Sequence, residues 1–254
     1  MDIIRTILYN ILGRKLYFRY VSRCFLLFYR KGLLSSGRKF QTHYFVRKLI
    51  NRGDTLIDLG ANLGYYTSIF AQEAGSEGKV FAVEPVELYR DILKSNTRRY
   101  NNIEYIPYAL SEEEGVAEMI LPGNKKYRHG LTRIAGKDNE EEGSLFTVEK
   151  RNPQQVFKDI SRLDYLKCDI EGHEGIVIPL FEDLIKKHQP IVQIEIEKSN
   201  FDLINTLFKS LLYSPYFVDG STLKKYDGKQ VYYSDLIYLP EKKINELSQL
   251  KLIS

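Results

Sequence analysis

Two clusters in the chain carry side chains suited to chemistry. The first is Asp58-Leu59-Gly60-Ala61-Asn62-Leu63-Gly64, followed 20 residues later by Glu84-Pro85. The second is Asp169-Ile170-Glu171-Gly172-His173-Glu174. Glycines at 60 and 64 remove side chains, so a ligand can approach the backbone there, and at least one calls for positive φ. An acid at Glu84 suits the paired hydroxyls of a ribose. The dinucleotide fingerprint needs Gly-x-Gly-x-x-Gly, whereas this turn reads Gly-x-Asn-x-Gly. Asp58 beside the turn opposes a pyrophosphate and welcomes an ammonium, while amides at a helix start receive a carboxylate. An adenosine carrying an amino-acid arm, S-adenosylmethionine, meets all three conditions.

The second cluster places four ionisable groups within six residues. Transfer of a methyl already activated on sulfur needs an aligned nucleophile first. A base that takes the proton of a hydroxyl comes second. His173 titrates near neutrality and is the natural base. Glu171 is its rival, and Asp169 stands beside both. Glu171 and Glu174 also read as acids capping a following helix. Asp169, Glu171, His173, Glu195 and Glu197 can alternatively converge on a divalent metal that acidifies the hydroxyl. Metal-free base catalysis is the preferred reading, so no metal ligand is assigned.

Both clusters need strand ends to hold them. Residues 55–59, 79–83, 103–107, 163–168 and 191–196 are short apolar runs, with helical stretches at 65–74, 88–100 and 174–184 between them. Such alternation predicts an α/β fold with a doubly wound, mostly parallel sheet. Ligands bind at the carboxyl ends of its strands, where Asp58, Gly60, Asn62, Gly64 and Glu84 fall. Residues 201–212 read as a helix, 216–219 and 235–239 as a closing antiparallel hairpin, and 242–253 as a surface helix. Residues 122–162 read as loops with one strand at 144–149. Tyr127, Arg128 and His129 there are either acceptor contacts or part of a solvated loop.

The segments DTLIDLGANLGYYTSIFA, VFAVEP, YIPYALSEEEG and LDYLKCDIEGHE, in this order, resemble the FkbM family of S-adenosylmethionine-dependent methyltransferases over residues 53–240. The resemblance implies a class I methyltransferase, Rossmann-like sheet and O-methylation of sugar or natural-product hydroxyls. It implies that Asp58, Gly60, Asn62 and Gly64 line the methionine end and that Glu84 holds the ribose. Ala109 and Leu110 would flank the adenine, and Asp169 would close the site. The stretch NPQQVFKDI departs from the family pattern and leaves local strand boundaries open. The Asn/Asp-Pro-Pro-Tyr/Phe motif that accompanies amine methylation in this fold is absent, and CDIEGHE holds its place.

Charge is unevenly spread. Residues 1–53 hold 12 Lys/Arg and one acid, a net +11, while the remainder carries −7. Residues 1–52 read as a basic, amphipathic helical extension, and 53–254 as the cofactor-binding domain. The extension is either a cap on that domain or an anchor, through residues 1–34, on an anionic membrane surface. No apolar run spans a bilayer and no signal peptide is evident. Two separated cysteines, Cys24 and Cys168, fit a reducing compartment. The expectation is a cytoplasmic O-methyltransferase, able to touch the inner face of the membrane peripherally. Its acceptor would be a glycan, a glycolipid precursor or a secondary metabolite. An RNA methyltransferase and a non-catalytic binding protein are the rivals. Nucleic acid is disfavoured by the acidic body.

Overall fold

The computed structural model describes residues 2–123, 129–134, 142–228 and 235–254. Its strands are β1 (Thr55–Leu59), β2 (Lys79–Val83), β3 (Ile103–Ile106), β4 (Ala109–Leu110), β5 (Gly115–Pro122), β6 (Arg133–Ile134), β7 (Gly143–Arg151), β8 (Tyr165–Cys168), β9 (Ile191–Glu195), β10 (Tyr213–Asp219), β11 (Thr222–Lys225) and β12 (Asp235–Pro240). The helices are α1 (Asp2–Arg30), α2 (Gln41–Phe45), α3 (Tyr65–Ala74), α4 (Glu87–Thr97), α5 (Pro153–Val156), α6 (Glu174–Val177), α7 (Glu182–His188), α8 (Phe201–Ser210) and α9 (Glu241–Gln249).

The main sheet runs β11-β10-β12-β9-β8-β1-β2-β3. β3, β2, β1, β8 and β9 are parallel, as the alternation predicts, and β12 is antiparallel to both β9 and β10. Strand order reverses between β1 and β8, so the carboxyl ends of these two central strands open a crevice. β1 and β8 are buried along nearly their whole length, which is why they read as continuous apolar runs. One face of the sheet packs Ile57, Leu59, Leu166, Cys168 and Val192 against Phe181 and Ile185. The other packs Leu56, Tyr165 and Ile191 against Tyr66, Ile69 and Phe70 of α3.

Three expectations need correction. The closing strands are not a simple hairpin: β11 intervenes in sequence, and β12 threads back between β10 and β9. The terminal helix ends at Gln249, and the residues after it join the sheet edge, where the Leu223 amide donates to the Leu252 carbonyl at 2.7 Å. The strand expected at 144–149 is present within β7, but β6 and β7 of residues 122–162 belong with the stretch before them to a second sheet rather than to a loop insertion. β4, β7, β5 and β6 form a second sheet, with β5 and β7 paired antiparallel over Gly115–Pro122. Its outer face is exposed, which weakens the apolar signal in sequence. The family departure at NPQQVFKDI is a helix start, where Asn152 accepts from the Gln154 amide at 2.9 Å and opens α5. Tyr127 and Arg128 lie outside the described residues. His129 begins a single 3-10 turn, His129–Leu131.

α1 is two helical halves joined at Gly13, whose φ of 70° breaks the helix. Its inner face lies against α4. Phe18 meets the Tyr89 ring edge-on at 5.8 Å, and Asn96 donates to Ser22 at 2.9 Å. Lys15 pairs with Asp91 at 2.8 Å. Further along, Phe25 packs on Tyr65 at 4.4 Å. Truncating wholly buried Phe18 to Ala should cost about 3–5 kcal/mol in denaturant unfolding. Leu27→Ala, on the outer face, should change stability by no more than about 0.5 kcal/mol. Equal losses would show that α1 docks by a different face.

Candidate active site

The turn after β1 is left-handed at three positions, with φ of 75° at Gly60, 49° at Asn62 and 87° at Gly64. The two glycines are needed for a reason other than ligand approach. A Cβ on Gly60 would lie 1.8 Å from the Asp169 carbonyl oxygen, and one on Gly64 would lie 2.6 Å from the Leu93 side chain. Protein, not ligand, fills both spaces. Gly60 still lines the crevice, but Gly64 is not among its lining residues and serves as the N-cap of α3. The amides of Gly60, Ala61, Asn62 and Gly64 all donate within the protein. The turn therefore offers fewer donors to a ligand carboxylate than its sequence suggests.

Glu84 sits at the tip of β2 and is 4 % exposed. Its two oxygens accept from the amides of Asn62 at 2.9 Å and Val86 at 2.8 Å, which fixes the carboxyl in the crevice wall. Burial pushes its pKa up to about 7, against the pull of those two amides.

Across the sheet, Asp58, Lys167 and Gln193 stand directly opposite one another on β1, β8 and β9. All three side chains project to the α3 face, since β residues alternate. Lys167 is 2 % exposed. Its Nζ donates to Asp169 Oδ2 at 3.1 Å, lies 3.8 Å from Asp58 Oδ1, and sits 4.9 Å from the centre of the Tyr66 ring. Burial opposes its charge, but Asp169 and Asp58 outweigh that and hold the ammonium above its usual range. Asp58 accepts from Thr67 Oγ1 at 2.6 Å, while its other oxygen, Oδ1, is buried with no hydrogen-bond partner. Burial raises the Asp58 pKa, partly offset by Lys167 and Thr67.

The carboxylates around Lys167 share their charge unequally. Burial works against ionising Asp169, yet Lys167 and a hydrogen bond from Glu195 hold it below the usual range. Burial and the Asp169 charge push Glu195 up to about 9, so Glu195 is the proton donor of that pair. Glu171, a non-glycine residue at φ 53°, is pushed up to about 8 by burial and by Asp169. Asp235 faces Glu195 from β12 and is raised to about 6 by burial and Asp169. His173 is half-buried and lines the crevice, with its pKa lowered by burial and by Lys150. Glu174 takes the structural role: its Oε1 accepts from the amides of Ile170 at 3.0 Å and Gly172 at 3.2 Å. Among the described residues, no three His, Cys, Asp or Glu side chains are grouped to hold a metal ion.

These residues enclose a cavity of about 350 Å³, a volume suited to a small molecule or cofactor. Asp58, Gly60, Asn62, Glu84, Ala109, Leu110, Asp169, Glu171 and His173 all line it, as the sequence implies. The sequence reading misses Lys167, Asp235, Lys39 and His43. His43 stacks on Tyr66 at 4.2 Å, and burial and the Lys167 charge push its pKa down to about 4. Asp235 carried a readable signal, because the first residue of an antiparallel strand falls at the carboxyl edge of its parallel neighbours. The cavity fits S-adenosylmethionine. Asp58 Oδ1, ion-paired with Lys167 but without a hydrogen bond, suits an ammonium, Glu84 a ribose diol, and the apolar end at Ala109 and Leu110 a purine. The surplus of acids suits the sulfonium charge.

A doubly wound sheet of this order, with such a crevice at its switch point, is the Rossmann-like fold of the class I methyltransferases. The methyltransferase FkbM domain matches residues 58–215. The chain belongs to the FkbM family of S-adenosylmethionine-dependent methyltransferases. Among solved structures, the methyltransferase FkbM of Methylobacillus flagellatus KT is 16 % identical with a TM-score of 0.49, over 73 % of this chain and 43 % of that one. The S-adenosylmethionine-dependent O-methyltransferase of Thermotoga maritima is 15 % identical with a TM-score of 0.43, over 78 % and 63 %. An rRNA methylase of Streptococcus thermophilus is 9 % identical with a TM-score of 0.45, over 78 % and 92 %. The chain thus spans less than two thirds of the first two proteins. No curated protein sequence matches it significantly.

The raised carboxyls set a pH dependence. An unfolded glutamate ionises near 4.5, while folded Glu171 and Glu195 keep their protons to about 8 and 9. Between those values the folded state binds more protons, so stability falls as pH rises. Ligand-free protein should therefore lose stability from about pH 6.5 to about pH 9 in denaturant titrations. Glu171→Gln with Glu195→Gln should flatten that slope, and an unchanged slope would refute the assignment.

Proposed function

We propose that the protein transfers the methyl group of S-adenosylmethionine to a hydroxyl of a glycan, a glycolipid precursor or a secondary metabolite. The observation that carries this reading is the arrangement on one cavity wall of Asp169, Glu171 and His173, at the end of β8. When bound, the cofactor supplies an electrophilic methyl that needs no further activation. What remains for the protein is to hold a hydroxyl in line and accept its proton.

The chain's own residues divide that work. Asp58 and Glu84 hold the cofactor's amino-acid and ribose ends. Asp169, kept ionised by Lys167, supports positive charge in the crevice. His173, held neutral by its surroundings, has a nitrogen able to accept a proton. Glu171 is the rival base, and at neutral pH it is mostly protonated. It is therefore better suited to donate a hydrogen bond to an acceptor oxygen than to remove its proton. The free cysteines favour a cytoplasmic site of action. RNA as acceptor is supported only by the basic residues 1–53, against the acidic body and the missing amine motif.

The test is transfer of labelled methyl into fractionated extracts. His173→Ala should lower turnover by about 10²–10⁴-fold while leaving cofactor affinity nearly unchanged. Glu84→Ala should weaken cofactor binding strongly. Wild-type turnover in His173→Ala removes the histidine from the chemistry. Label recovered in RNA alone overturns the acceptor class.

A further inference from the structure

We infer that the outer face of α1 is a docking surface for an anionic lipid bilayer. The observation is an apolar stripe pointing away from the fold. In the half of α1 after Gly13, Leu16, Tyr20 and Leu27 are between 49 % and 57 % exposed, and Ile7 and Ile11 before the break and Leu33 beyond the helix are exposed as well. At about 100° per residue, Leu16, Tyr20 and Leu27 share one line along the helix. Phe18, Ser22, Leu26 and Tyr29 turn inward and are buried. The inward set accounts for folding; the outward set has no partner within the described fold.

Charge identifies the occupant. Arg19, Arg23, Arg30 and Lys31 lie beside the stripe, Arg23 and Arg30 also reaching back to Ser95 and Ser68 at 3.3 Å, and no acid occurs from residue 3 to residue 53. Aliphatic side chains embedded in a basic face match the boundary of an anionic leaflet, where the apolar groups enter the acyl region and the cations meet headgroups. A second copy of the chain would bring two such basic segments together, and like charges oppose that contact. A nucleic acid would satisfy the cations and leave the aliphatics uncovered. No helix among the described residues is long and apolar enough to cross a membrane, so α1 lies on the surface rather than spanning it.

The same helix roofs the cavity. Phe18 contacts Tyr89 and Phe25 contacts Tyr65, and both tyrosines line the cavity wall. A bilayer on the outer face would stand about one helix diameter, ~10 Å, from that wall. An acceptor carrying a lipid tail would then be presented at the crevice without leaving the membrane.

The experiment is co-sedimentation of the full chain with vesicles of phosphatidylcholine alone or mixed with phosphatidylglycerol. Binding should require phosphatidylglycerol and weaken as salt is raised. Leu16→Ser with Tyr20→Ser and Leu27→Ser should reduce it by at least about tenfold, as should Arg19→Gln with Arg23→Gln and Lys31→Gln. An unchanged denaturation midpoint shows that the variants fold. No binding by the wild-type chain at low salt overturns the proposal, and so does undiminished binding by the serine variant. Loss of self-association in the serine variant, without vesicle binding by the wild type, would assign the face to a second copy. RNA binding that survives the serine substitutions, without vesicle binding, would assign it to nucleic acid.

Discussion

A lysine ammonium with almost no access to water sits at the centre of the sheet, and the site is arranged around it. Burying such a charge is costly unless it is paired and hydrogen-bonded. Lys167 meets that demand with Asp169, Asp58 and the Tyr66 ring. Each partner comes from a different element, so the charge is compensated only when β1, β8, the turn after β8 and α3 are in place together. Removing one carboxylate from such a group typically costs about 3–5 kcal/mol, because the remaining charge is left uncompensated. Thr67 ties Asp58 to α3, and Gln193 extends the row to β9 while reaching Tyr66 at 3.1 Å. The polar row therefore fixes strand register as well as charge.

The carboxyls around that row outnumber its cations, and the excess is resolved by protonation. Glu195 keeps its proton and gives a hydrogen bond to Asp169, which stays ionised. A cationic ligand entering this crevice meets a site already biased toward negative charge in a low-dielectric wall, where such attraction is strongest. The opposite end of the cavity is apolar, built by Ala109, Leu110 and Val86 with Tyr89 behind them. The small sheet supplies Ala109 and Leu110 through β4, which β7 holds in place, while Val86 and Tyr89 come from the start of α4.

Much of this was legible in sequence because strand ends in a parallel sheet gather at one edge. Asp58, Glu84, Asp169, Glu171 and His173 could be placed at that edge from their positions after apolar runs. Gly60 and Gly64 take the positive φ that the turn calls for, but the further reason for them, that their missing side chains admit Asp169 and Leu93, depends on tertiary packing. Lys167 was invisible as a site residue because its meaning lies in register, and nothing local says that Asp58 stands opposite it. His43 belongs to the extension and reaches the cavity only after α2 folds back beside α3. β5 was missed because its outer face is exposed at Val116 and Glu118, so its alternation carries little apolar contrast.

The contact beneath Gly60 has a mechanical side. With no side chain between them, the backbone of the first turn rests directly on the backbone of the loop bearing Asp169. The Asp169 amide also donates to the Leu59 carbonyl at 3.2 Å, riveting the pair just below. Neither segment can slide without dragging the other. Whatever seats in one is felt in the other, so the nucleoside cradle and the acid-bearing jaw behave as a single stiff part rather than as two lids.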